Sequence, residues 1–390
     1  MTQQTPDSPS RFTRGPDTLA IYALLALLTS GYGIIGPLMP FLRADLGLSY
    51  TQGSYHSVAL SLGTSLTALA GRQFQRWLGR MGSVAGVLLS MAAGLLLMCL
   101  APHVAVSMMG AALLGMSIAL AVGVAPAVMA ERHGPRMGIA MAEANLIAYL
   151  GIFLVPGVVS LTSQITSWRW SFLVPVLCYA VFWLLIRRVD LGAGSGADPR
   201  STQERLPAAY WFHWSFLGLT VACEFCMVIW GASYLESVTQ LPRDLALWSS
   251  MVFPAGVIVG RTVGSILSRR FPAETLVPSA LLLAGAGLLL FLMARTPLSG
   301  LTGLFLTGVG MANFYPLGIT LAMIAAGPAT DAAAARASLA SGIASLAAPL
   351  LVGAIADRAG MGVAFSILPL FLVVAAVLHY AGLKARRLTP

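Results

Sequence analysis

Residues 212–234 read FHWSFLGLTVACEFCMVIWGASY, an apolar run with a single carboxylate, Glu224, near its middle. A helix needs about twenty such residues to cross a hydrocarbon core roughly 30 Å thick, so the run reads as one membrane-spanning helix. Moving an ionised acid to that depth costs roughly 3 kcal/mol on insertion scales. Glu224 therefore faces a watery cavity, carries a proton or pairs with a cation. Each option makes it a candidate functional group.

Composition extends this reading to the whole chain. Its 390 residues are 57% hydrophobic and 9% charged, against about 25% charged in soluble domains. A two-sided core cannot absorb that much apolar surface, so the lipid bilayer is the expected solvent and partner. A net charge of +9 would suggest nucleic acid in a soluble protein. Here the basic residues sit in short gaps between apolar runs, where they act as topology signals, and no nucleic-acid partner is expected. Residues 1–16 are polar and hold no short apolar core before a small-residue cleavage site, so they read as a tail rather than a leader. Cys99, Cys178, Cys223 and Cys226 all lie inside apolar runs, which implies no exported disulfide framework.

Twelve apolar runs can be marked, near 18–42, 51–70, 82–101, 104–129, 138–163, 170–187, 211–235, 246–267, 275–294, 298–324, 332–355 and 362–382. The one long polar interruption, 188–210, divides them six and six. The expected organisation is a tail (1–17), a six-helix bundle (18–187), a central loop (188–210), a second bundle (211–382) and a short tail (383–390). Of the 23 Lys and Arg residues, only Arg43, Arg169, Arg243, Arg295 and Arg358 fall on the side opposite the N-terminus. The positive-inside rule then makes both termini cytoplasmic. The halves also repeat at a constant offset: Gly71 falls on Gly264, Arg76 on Arg269, Gly115 on Gly308, Pro156 on Pro349 and Phe172 on Phe365. Two parallel repeats around an axis along the membrane normal place a binding site at their interface, near the midplane.

Leu38-Met39-Pro40-Phe41-Leu42, followed by Asp45-Leu46-Gly47-Leu48-Ser49 and Gln52-Gly53, is similar to the first helix end and the entry to the second in the major facilitator superfamily, and the resemblance covers essentially all of the chain. Gly71-Arg72-Gln73-Phe74-Gln75-Arg76 with Gly79-Arg80 resembles that family's signature between helices two and three. Gly260-Arg261, Gly264 and Ser268-Arg269-Arg270 resemble the repeat copy after helix eight. Ser167-Trp168-Arg169-Trp170-Ser171-Phe172 and Gly353-Ala354-Ile355-Ala356-Asp357-Arg358 match the turn before helix six and the end of helix eleven. Gln75 stands where the family usually has an aspartate. Helix four lacks the arginine and glutamine common in drug–proton antiporters, and only Gly151 and Pro156-Gly157 echo the antiporter motif of helix five. The implied fold is an all-α integral membrane protein, with twelve transmembrane helices as two pseudo-symmetric six-helix bundles.

The resemblance implies that helices one, four, seven and ten line the central cavity. Their polar groups are Ser30 and Tyr32, Ser117, Glu224 and Trp230, and Asn313 with Tyr315; His56, near the outer end of helix two, is a further substrate candidate. For Glu224 two readings stand: a cavity acid used for proton or cation coupling, and a protonated glutamate hydrogen-bonded between helices. The offset places Gly31 opposite Glu224, so the acid exists in one half only. Glu143 and Asn145 in helix five, with Arg336 in helix eleven, are candidates for a polar contact between the halves; Arg72, Arg76, Arg261 and Arg269 are read as gating residues at the cytoplasmic ends. Trp230 also fits an interfacial anchor. Cys223-Glu224-Phe225-Cys226 invites a metal reading, but no histidine lies at matching depth nearby in sequence, so no metal and no cofactor are expected.

The leading expectation is a monomeric, proton-coupled secondary transporter for a small organic solute, in a bacterial inner membrane. With no basic residue assigned to the central zone, a neutral, zwitterionic or cationic solute is favoured over a strong anion. A proton-driven efflux antiporter uses the same parts. A non-transporting receptor or scaffold would carry a soluble signalling domain, for which 1–17 and 383–390 are too short. No paired catalytic groups or nucleotide loop point to an enzyme.

Overall fold

Helix boundaries follow the polar and proline punctuation. The structure, a computed structural model, describes residues 13–192, 206–239, 245, 248–327 and 329–388, with no side-chain description at 69–76, 135, 330–332, 334–335, 338 and 388. Arg72 and Arg76 thus lie outside the described side chains, and so do Arg243 and most of the central loop. The first half holds α1 (Pro16–Gly33), α2 (Ile35–Leu46), α3 (Tyr50–Leu100), α4 (Val104–His133), α5 (Met137–Ile165) and α6 (Leu173–Ile186). The second holds α7 (Ala208–Thr239), α8 (Val252–Leu267), α9 (Ala273–Leu292), α10 (Pro297–Met311), α11 (Phe314–Ala326), α12 (Thr330–Ala359), α13 (Met361–Phe365) and α14 (Ile367–Leu388).

Among the described residues, ten segments are long and apolar enough to cross a membrane. The first part of α3 and the shorter apolar α8 complete the twelve crossings. α3 carries two of them. Its start is fixed by a capping box in which Ser49 Oγ accepts the Gln52 N–H at 3.2 Å and the Gln52 side chain accepts the Ser49 N–H at 3.0 Å. The chain reverses at Gly79, whose φ of 66° suits a residue without Cβ.

Two crossings are broken, for a shared reason. α1 gives way to α2 after Gly33, four residues before Pro37, and α10 to α11 around Ala312, four residues before Pro316. Proline has no N–H to donate to the carbonyl four residues back, so the ladder opens there. The repeat does not extend to these breaks: α4 and α7, their partners at the constant offset, run on unbroken.

The halves meet along a seam made by α2 against α7, the first crossing of α3 against α12, and α5 against α8. On the face opposite the termini the seam is closed. Asp357, near the end of α12, accepts the Tyr50 and Thr51 N–H groups at 2.7 and 2.8 Å. The Ser54 hydroxyl donates to the Pro349 carbonyl at 2.8 Å, and the Trp230 indole donates to the same carbonyl at 3.2 Å. By contrast, the ion pairs described at the terminal face stay within one half: Arg14–Glu143 at 2.7 Å, Arg132–Asp17 at 2.5 Å, Arg80–Glu131, and Arg386–Glu274 at 2.5 Å.

Seam contact needs small residues. A Cβ on Gly36 would sit 2.5 Å from the Val228 carbonyl oxygen. Gly36→Ala is therefore expected to strain the closed seam by roughly 1–3 kcal/mol and lower the melting temperature in detergent. Gly342→Ala, at a helical position with open space around it, is expected to leave it unchanged or raise it, because alanine favours helix by up to about 1 kcal/mol. Equal shifts in the two variants would refute the close-approach argument.

Candidate functional site

Between the halves lies a cavity of about 240 Å³. α5 presents Asn145, Ala148, Tyr149 and Ile152 to it, and α7 presents Val221, Glu224, Phe225 and Val228. Both sets follow the i, i+3, i+4, i+7 spacing of one helix face. α1 adds Thr29 and Tyr32, α8 adds Phe253, Pro254 and Arg261, α11 adds Tyr315 and α12 adds Ser341. The wall is apolar over much of its area, with polar groups converging around Glu224.

Tyr149 ties the site together. Its hydroxyl donates to Glu224 Oε1 in the opposite half, while the Arg261 guanidinium lies over its ring, 4.1 Å from the centroid. A cation over an aromatic face gains about 0.5–2 kcal/mol depending on desolvation. The acid and the base thus flank one phenol instead of pairing directly. Arg261 Nε and Ser341 Oγ are buried without a hydrogen-bond partner. Two neighbouring polar groups are already engaged: Asn145 Nδ2 donates to the Met141 carbonyl at 2.8 Å, and the Thr29 hydroxyl reaches the Ala148 carbonyl at 2.6 Å, fastening α1 to α5.

Of the residues singled out from sequence, the structure brings Glu224, Tyr32 and Tyr315 into this cavity, together with Asn145 and Arg261, which had been read as gating residues. Five substrate candidates lie elsewhere. Ser30 donates to the Leu27 carbonyl and faces a different recess beside α5 and α6. Ser117 is bonded to Ser90 at 2.8 Å inside the first half, so α4 contributes nothing described to the lining. His56 is fully buried between the Gly53 carbonyl at 3.0 Å and Ser107 at 2.8 Å. Trp230 is a seam residue, edge-on to Tyr50. Asn313 donates to the Gly260 carbonyl at 2.8 Å and lines a crevice between α8 and α9.

The gating candidates also move. Glu143 binds Arg14 through both carboxylate oxygens and accepts the Tyr22 hydroxyl at 3.0 Å, all in its own half. Arg336 lies 5.9 Å from the Trp211 ring and its carbonyl accepts the Trp214 indole, within the second half. Arg269 is exposed just beyond α8. The Cys223 thiol points to the Leu368 carbonyl of α14, and Cys226 is buried with it, so neither joins Glu224 in the cavity. Arg261 overturns the premise that the central zone holds no base, and with it the argument against anionic solutes.

Among the polar lining groups, residue order alone did not single out Tyr149, Thr29 or Ser341, and it placed Arg261 at the cytoplasmic end. Tyr149 follows Asn145 by four residues, a spacing that puts both on one helix face. Arg261 precedes Arg269 by eight residues, about 12 Å along a helix, too deep for a headgroup anchor.

Comparison with known proteins agrees with this architecture. A family model described as Major Facilitator Superfamily matches residues 21–330. An MFS-type transporter of Yersinia pestis, itself uncharacterised, is 23% identical over 366 residues, covering 90% of this chain and 92% of that one. Among solved structures, the peptide transporter POT superposes with a TM-score of 0.78 at 15% identity, over 96% of this chain and 95% of its own. A bacterial homologue of the human lysosomal transporter Spinster, inward-facing and unoccupied, gives 0.74 at 12% identity, over 95% and 96%. At such identities the likeness is one of fold. With the family match spanning most of its length and twelve crossings built around an inter-half cavity, the chain belongs to the Major Facilitator Superfamily.

Proposed function

We propose that the protein is a proton-coupled secondary transporter that moves a small organic solute by alternating access, with Glu224 as the proton-binding group. The observation that carries the reading is the position of Glu224: the acid lies in a cavity lined by both halves and bonds Tyr149 across the seam. A group that contacts both halves senses their relative movement, so its proton occupancy and the cavity's access are linked. The halves rock about this level, Glu224 taking a proton on one side and releasing it on the other. The charge bias makes the terminal face cytoplasmic, in a bacterial inner membrane. The seam closed opposite the termini then corresponds to an inward-facing state.

The test is uptake into proteoliposomes of a compound first found by thermal-shift screening of a metabolite panel. A pH gradient is expected to drive accumulation, and a protonophore to collapse it. Accumulation that persists with the protonophore present refutes proton coupling.

A further inference from the structure

We propose that Arg261 is the anchor for a carboxylate on the solute, so that the substrate class is small monocarboxylic acids with a compact apolar body. The inference rests on the cavity being the solute site and adds the chemistry that the site recognises.

Arginine stays charged at any physiological pH, and a guanidinium held among apolar groups is costly unless its donors are met. Arg261 meets only part of this need. Tyr149 covers one face of the guanidinium, but a ring contact uses the face and leaves the in-plane N–H edge unspent. Nε is buried with no acceptor. Glu224, the acid that lines the same cavity, turns its carboxylate to the Tyr149 hydroxyl instead. The acceptor for Arg261 is therefore supplied by a guest. A planar fork of N–H donors matches a carboxylate through two parallel bonds.

Charge count narrows the guest further. With Arg261 the one base lining the cavity among the described residues and Glu224 carrying its proton, a singly charged anion is matched and a phosphate dianion is not. Ser341 Oγ, also buried and unpartnered at the cavity wall, offers one further hydroxyl to a polar head. Phe225, Val228, Phe253 and Pro254 give the body of the solute an apolar seat. A cavity near 240 Å³ lies below the roughly 300–1,000 Å³ of drug-sized sites, which points to a small acid.

The experiment is ligand-induced thermal stabilisation of purified protein in detergent, with no pH gradient. The probes are butyrate, hexanoate and 3-phenylpropionate, each beside its uncharged amide, with hexylamine as a cation. At least one acid is expected to stabilise the wild type saturably while its amide and hexylamine do not. Arg261→Gln is expected to weaken that acid by about 30-fold or more, the scale of losing a partner from a desolvated charge pair. Arg261→Lys, which keeps the charge without the fork, is expected to fall between. The proposal is overturned if no acid binds the wild type, if an amide binds as well as its acid, or if Arg261→Gln binds the acid unchanged. Should Arg261→Gln fail to fold, the acid–amide comparison on the wild type still decides. Because the assay contains no gradient, it reads solute recognition alone, and a failure of proton coupling in proteoliposomes leaves its result intact.

Discussion

Glu224→Gln is expected to abolish accumulation against a gradient while leaving solute exchange within a few-fold of the wild type. Glutamine keeps the size of the side chain and an oxygen that accepts the Tyr149 hydroxyl, so the bond across the seam survives. What it loses is the ability to gain and lose a proton. One pH unit is worth about 1.4 kcal/mol per proton, which with one proton per solute sustains about tenfold accumulation in the wild type. Without a titrating group the accumulation ratio is expected to fall to about one, while exchange of labelled for unlabelled solute continues. Proteoliposomes under a fixed pH gradient measure both. Uphill uptake by Glu224→Gln equal to that of the wild type rules out the assigned role and leaves Glu224 as a neutral tether between helices.

Asp357→Asn is expected to open the face opposite the termini. The Asp357 carboxylate accepts two N–H groups from the first turn of α3 at 2.7 and 2.8 Å. It thereby satisfies orphan donors at a helix start and places a negative charge at the positive end of the dipole. Hydrogen bonds to an ionised group contribute about 1.5–3 kcal/mol each when dry, and exposure reduces this. Since Asp357 is exposed, about 1–2 kcal/mol for the whole contact is a reasonable scale, and 1.4 kcal/mol is tenfold in a population. The bond spans the two halves, so its loss acts on the closed seam more than on either bundle. Spin labels at Tyr55→Cys and Gly362→Cys, in a background lacking the four cysteines, report the distance across this face. A longer-distance population about tenfold larger than in the wild type is expected. An unchanged distribution means that Trp230, Ser54 and the packing of α2 on α7 hold the seam alone.

The architecture was legible because hydropathy is a one-dimensional property: apolar runs, their charged gaps and the repeat at constant offset can all be read along the chain. The lining of the cavity was not, because it depends on which way each helix faces. Ser117 and His56 are polar groups at plausible depth, yet each satisfies itself within the first half. Trp230 and Asn313 spend their donors on carbonyls of neighbouring helices, at a seam and at a helix break. Glu143 meets Arg14, a residue 129 positions away on the tail before α1, where residue spacing gives no hint of a partner. Arg261 was visible as a charge inside an apolar run. Reading it as a helix-end residue overlooked that α8 continues past it to Leu267. Glu224 was found because a lone acid in a long apolar run has few ways to be stable, whichever way the helix turns.

The acid and the base on either side of Tyr149 also set which force can drive the cycle. On these assignments the empty carrier crosses with Glu224 negative and Arg261 positive, a cavity with no net charge. Loaded with a proton and a monocarboxylate, it crosses with Glu224 neutral and the anion cancelling Arg261, again with no net charge. A membrane potential, worth about 2.3 kcal/mol per charge per 100 mV, therefore does no work on either crossing. With these proposed roles the turnover would be electroneutral, and the difference in acidity between the two sides alone would set how far the solute is concentrated.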